Sequence, residues 1–172
     1  MIGKRESGQL SWAMSDIQSL RDHLLYLLRG GGAHLDYETL VADFPPALTN
    51  GRVAGVPYTP WQLLEHMRIA QRDIVRFSVD AHHVSPEFPE GYWPIPDTVA
   101  DNQLWHDTVQ AFRADLKEME NLVADQATDL FAEIQHGDGQ TILREALLIA
   151  DHNAYHLGAM ALLKRILNQE GK

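Results

Sequence analysis

Residues Thr141 to Asn168 limit most strongly what this chain can fold into. Leu143, Leu147, Ala150, Ala154, Leu157 and Ala161 recur at alternating four- and three-residue steps, the spacing of one helix face. Leu148, Ile149, Met160 and Leu163 form a second apolar face on the same helix. A helix apolar on two faces needs neighbours on both, which places it inside a bundle. Ala154, Gly158, Ala159 and Ala161 are small, so those neighbours can approach closely.

The rest of the chain supplies the neighbours. Ser15 and Gln18 have capping-box spacing, with Asp16 adding negative charge in the first turn, so a first long helix is predicted from about Ser15. Ile17, Leu20, Leu24, Leu27 and Leu28 keep helical spacing until Gly30-Gly31-Gly32, which ends it. A short helix is expected over 36–42. A second long helix has the clearest start: Thr59 as N-cap, Pro60 in the first helical position and Gln62 completing a capping box. Leu63, Met67, Ala70, Ile74 and Phe77 form its seam. Between Ala81 and Pro96 stand four prolines, a glycine and the aromatics Phe88, Tyr92 and Trp93, a composition that breaks helices and reads as an ordered loop. A third long helix spans about 101–124, with Leu104, Val109, Phe112, Leu116, Met119 and Val123 inward. The loop after it carries Leu130, Phe131 and Ile134, expected to pack. There is no repeat and no reliable strand pattern. The expected fold is all-α: an antiparallel four-helix bundle with short extra helices in its connections. Residues 1–14 form an N-terminal arm and residues 15–172 a single domain.

With 172 residues, 45% apolar and 22% charged, one globular domain with a real core is affordable in size and ordinary in composition. The formal charge of -10 argues against a nucleic-acid partner, which needs a basic surface. No apolar run approaches the ~20 residues of a membrane span. Lys4 and Arg5 are not followed by the apolar stretch of a secretory signal, so the expected location is cytoplasmic. The chain has no cysteine. Disulfides, thiolate metal sites and a cysteine nucleophile are therefore excluded.

Metal ligation is left to histidine, carboxylate and water. His152 and His156 stand four residues apart within the last helix, which puts both imidazoles on one face. Nine histidines in 172 residues give roughly half a pair at that spacing by chance, so spacing alone is weak. Context strengthens it. The pair lies among Leu148, Ile149, Tyr155, Ala159 and Met160, and a buried imidazole needs a partner for each nitrogen. His66, one turn into the second long helix beside the Leu63/Ala70 seam, is the best third member, since bundles build sites from facing helices. Two readings stay open on the residues alone: a metal site, or three core histidines hydrogen-bonded to backbone or carboxylates.

Trp61-Gln62-Leu63-Leu64-Glu65-His66 on the second long helix and Asp151-His152-Asn153-Ala154-Tyr155-His156-Leu157-Gly158 on the last resemble the DinB-like superfamily. These are four-helix-bundle proteins that include metal-dependent thiol transferases and related hydrolases. The resemblance runs from about Ser15 to Leu167. It implies one divalent metal bound by His66, His152 and His156, and a homodimer. Three imidazoles leave coordination positions open, as in catalytic sites. Zinc suits such a set best, with nickel, manganese and iron as alternatives.

Helpers are harder to assign. Asp73 shares the face of His66 two turns on; it can accept a proton from a ligand histidine or stand as a solvated charge, the commoner state of an aspartate. Glu65 and Asp151 point about 100° away from the ligands beside them and pair more naturally with surface cations. Tyr155 lines a pocket or packs in the core, His34 approaches the site or sits in a surface loop, and Trp61 with Phe88, Tyr92 and Trp93 walls a pocket or closes the bundle end. Three functions compete: metal-dependent transfer of a small thiol or metal-assisted hydrolysis, a non-catalytic metal-binding bundle, and a metal-free interaction module.

Overall fold

The structure is a computed structural model that describes residues 5–32, 34–42 and 44–170, with backbone alone for 5–15 and 170. It is all-α. Its elements are α1 (Arg5–Leu28), α2 (Tyr37–Ala42), α3 (Pro60–Val79), α4 (Asn102–Ala124) and α5 (Ile142–Glu170). Two short 3-10 turns, Pro46–Leu48 and Glu90–Tyr92, lie in the connections. Among the described residues the one β-type pairing is an isolated bridge between Glu133 and Thr141. No described helix is long and apolar enough to cross a membrane.

The helix starts and stops follow local chemistry. The α3 capping box forms: Thr59 Oγ1 accepts from the Gln62 amide at 3.2 Å, and Gln62 Oε1 accepts from the Thr59 amide at 2.9 Å. Asp101 caps α4 by accepting from the Leu104 amide. Gly30 ends α1 with φ 73°. The Gly30 amide donates to Leu27 and the Gly31 amide to Tyr26, a Schellman stop in which a left-handed residue is needed. The start of α1 differs from expectation. The helix begins at Arg5, and Ser15 lies inside it. No proline interrupts residues 5–14, so nothing forces a break at Ser15, and capping-box spacing also arises by chance in helix interiors. Residues 1–4 of the expected arm lie outside the described residues.

The four long helices close on one another: α3 packs against α4 and α5, and α1 packs against the same two. The core has two parts. One gathers Leu40, Phe44, Leu63, Leu64, Met67, Phe112, Met160 and Leu163. Here α2 contributes Tyr37, whose ring stacks on Phe112 at 4.1 Å. The other gathers Leu24, Leu28, Val75, Met119, Val123, Leu130, Ile134 and Ile149. Leu130 and Ile134 pack as expected, but Phe131 is exposed, as is Leu147 of the expected α5 seam. Each sits at an angle its helix or loop turns outward, which apolarity alone does not reveal.

Buried polar groups tie the helices together. Asn153 Nδ2 donates to Gln71 Oε1 at 2.9 Å, and Gln71 Nε2 donates to the Phe112 carbonyl at 2.7 Å. This chain links α5, α3 and α4 at the level of the histidines. Arg21 is buried and donates to the carbonyls of Val123 and Thr128, both at 2.6 Å. Thr59→Ala is expected to cost about 1 kcal/mol by removing the cap, read as a lower midpoint in urea with an unchanged slope. An unchanged midpoint would show that the Gln62 side of the box suffices.

Candidate metal centre

His66 is placed by the rigid start of α3. His152 and His156 are one turn apart on α5, their ring centroids 4.5 Å apart. Because α3 packs on α5, the three rings meet. His66 Nε2 lies 3.2 Å from Nε2 of His156 and 3.2 Å from Nε2 of His152. One ligand atom from each residue lies within 4.8 Å of the others, and the group could hold a metal ion.

The proton positions suit that use. His66 Nδ1 is 2.8 Å from the Tyr92 carbonyl. A carbonyl only accepts, so Nδ1 carries the proton and Nε2 keeps its lone pair. Trp93 stacks flat on the same ring, with centroids 4.1 Å apart and planes 8° apart. Among the described residues, the polar contacts of His152 and His156 are to His66 alone, and His156 Nδ1 is buried without a partner. Core histidines satisfied by backbone or carboxylates would look different; two of these three have neither.

Burial lowers the pKa of all three. It is the main cause at His66, opposed by the Tyr92 hydrogen bond. His152 is pushed down to about 4 by burial and then by His66, with Asp151 opposing. His156 is pushed down to about 4 by burial, then by His152 and His66. At neutral pH the centre is therefore three uncharged imidazoles with converging nitrogens, the donor set a divalent cation of intermediate softness takes.

Beside the centre lies a cleft of about 340 Å³. His66, His152 and Asp73 line it with Ile74, Leu148 and Phe88, and Tyr92 and Trp93 complete the wall. The loop aromatics thus do line a pocket. Trp61 does not: it is buried, and its Nε1 donates to Thr108 Oγ1 at 3.1 Å. Its place two residues after the Thr59 cap faces α4. Tyr155 neither lines the cleft nor packs in the core. It is 75% exposed, with its ring edge-on to His156 at 4.9 Å. His34 is exposed and borders a different face of α5, beside Ala154 and Leu157. Glu65 makes a two-pronged ion pair with Arg68.

Asp73 is neither a partner of His66 nor a solvated charge. Its side chain is mostly buried and accepts from Tyr92 Oη at 2.6 Å and from His83 Nε2 at 2.7 Å. Burial and the Asp73 bond push the Tyr92 hydroxyl up to about 12, so it stays a donor. The roles of Gln71 and Asn153 carried one signal in the sequence, a polar residue on an otherwise apolar helix face. His83, expected as a surface or loop residue, does lie on the loop after α3, with its side chain turned to Asp73.

The fold and the three rings together define a helical bundle with an open histidine centre between facing helices. A family model of the DinB superfamily matches residues 32–160, a span that includes all three histidines. The chain belongs to the DinB superfamily. No curated protein matches it, and no solved structure does.

Proposed function

We propose that this protein is a divalent-metal-dependent enzyme that transfers a small thiol to an electrophile or hydrolyses a small substrate. The observation that carries this reading is the convergence of three neutral imidazoles beside a cleft, with no further protein ligand in the group among the described residues. His66, His152 and His156 would hold the ion, zinc by preference, with nickel, manganese or iron as alternatives. A metal held by three imidazoles supplies Lewis acidity, lowering the pKa of a thiol or water and polarising the acceptor.

The chain has no cysteine, so a sulfur nucleophile has to come from a small molecule. Its thiol proton passes to solvent, its sulfur bonds the electrophilic atom, and the departing group takes the bonding pair and a proton from solvent. The cleft holds no lysine or arginine, and its one carboxylate is already bonded to two donors. That lining suits an uncharged, largely apolar acceptor.

The test is metal analysis of the native protein followed by a turnover screen, with and without chelation, pairing small thiols with uncharged electrophiles and with simple esters. About one ion per chain and turnover that chelation abolishes are expected. An ion without metal-dependent turnover in either screen would leave a non-catalytic metal binder.

A further inference from the structure

We propose that Asp73 is a positioning residue of this centre, setting the ring and proton of His66 through Tyr92 without touching His66. The inference rests on the metal reading above for its purpose, though not for its geometry.

Asp73 lies seven residues after His66 on α3, two turns on and on the same face. Its two carboxylate oxygens bind two points of the loop that follows α3. Oδ1 takes His83 Nε2 at 2.7 Å and Oδ2 takes the Tyr92 hydroxyl at 2.6 Å. Tyr92 is thereby held at both ends, because its backbone carbonyl accepts from His66 Nδ1 at 2.8 Å. The next residue, Trp93, covers the face of the His66 ring at 4.1 Å. One backbone step therefore holds His66 by an edge and by a face, and Asp73 fixes where that step sits.

The consequence is a choice of tautomer. A free imidazole favours the proton on Nε2, the nitrogen that here has to face His152 and His156. The Tyr92 carbonyl reverses that preference. Using a neutral carbonyl also differs from placing a carboxylate on the ring. A carboxylate there would raise the basicity of the ligand and bring negative charge to the ion. Held one residue away, Asp73 orients His66 without placing its charge on the ring, which would leave a bound ion more acidic. The far end of the loop has its own anchors: Gln62 Nε2 donates to the Pro96 carbonyl at 2.6 Å, and Trp93 stacks on Tyr58 at 5.4 Å. Loss of Asp73 should therefore loosen Tyr92 without unfolding the loop.

The test uses nitrogen-15 NMR of the metal-free protein near neutral pH, which reports which His66 nitrogen bears the proton. The wild type is expected to show Nδ1–H. Asp73→Ala and Tyr92→Phe should each move His66 toward Nε2–H, and the double variant should move it no further. Asp73→Asn keeps an oxygen for the Tyr92 hydroxyl and should restore Nδ1–H. Chelator competition on the same proteins should show metal affinity about tenfold weaker in Asp73→Ala and Tyr92→Phe. His66 keeping Nδ1–H in Asp73→Ala, or the two single effects adding in full, would overturn the inference. A tautomer that follows Asp73 in a protein that takes up no metal would sink the metal reading and leave the positioning role standing. Equal metal affinity in every variant would do the reverse.

Discussion

Replacing His66 by alanine is expected to weaken divalent-metal binding roughly a hundred- to a thousandfold. Zinc sites with four protein ligands are worth roughly 10–16 kcal/mol, so one ligand among several carries roughly 3–4 kcal/mol, which converts to that range at ~1.4 kcal/mol per factor of ten. On the proposed metal reading His66 is the informative residue to remove, because it is the one member of the histidine group on α3. Its Nε2 lies 3.2 Å from both α5 nitrogens, so without it the α5 pair retains two donors on one helix and no clamp across the bundle. The fold should survive, since the ring is only half-buried and its main packing partner is Trp93. His34→Ala is the matched control: that ring is exposed and bonds the Leu35 carbonyl, and its removal should leave affinity unchanged. Competition against a chromophoric chelator reads both. Affinity in His66→Ala within a few-fold of wild type would place the ion elsewhere.

The contrast between His66 and Asp73 shows what periodicity can and cannot carry. Helices α3, α4 and α5 were legible because their apolar residues repeat at helical spacing and because Thr59, Pro60 and Gln62 mark a start by chemistry that acts within one turn. The grouping of His66 with His152 and His156 followed from the same repeat, since helix phase says which residues share a face. The role of Asp73 was not legible. Its partner Tyr92 is nineteen residues away on a loop, and no repeat encodes where a loop returns. Trp61 failed for a simpler reason: it is close to His66 in sequence, but five residues put it about 140° round the helix, and its ring turns toward Thr108 on α4. Gln71 and Asn153 were hidden because a buried amide is recognisable only once its partner is known. The early start of α1 shows the weakness of a cap signal that no breaker accompanies.

The second large effect is a loss of stability in mild acid, confined to the metal-free protein. In the unfolded chain a histidine takes up its proton near pH 6.5. In the folded chain burial holds His152 and His156 neutral down to about 4, and burial lowers His66 as well. Between those limits the unfolded chain binds more protons than the folded one. Unfolding free energy therefore falls as the pH falls through 6.5 toward 4 and is fully recovered above 6.5. The rings are half-buried, so solvent screening trims the effect to ~2–3 kcal/mol in total. Two carboxylates titrate on top of this. Burial raises Asp115, whose contribution runs the opposite way and strengthens as acid protonates it. Burial also raises Glu120, but Arg29 and Lys117 outweigh it and hold the group lowered, so its contribution is present above the ordinary glutamate value and is lost as the pH falls below it. Both carboxylates are common to the wild type and to a variant lacking the two α5 imidazoles, so the histidine slope is read as the difference between the two proteins. Urea midpoints measured from about pH 6.5 toward 4 should fall for the metal-free wild type and fall less steeply for a His152→Gln/His156→Gln variant, which keeps only the His66 contribution. A flat wild-type profile would mean that these rings are protonated as readily in the folded protein as in the unfolded chain, and would overturn the assignment of three neutral imidazoles to the centre.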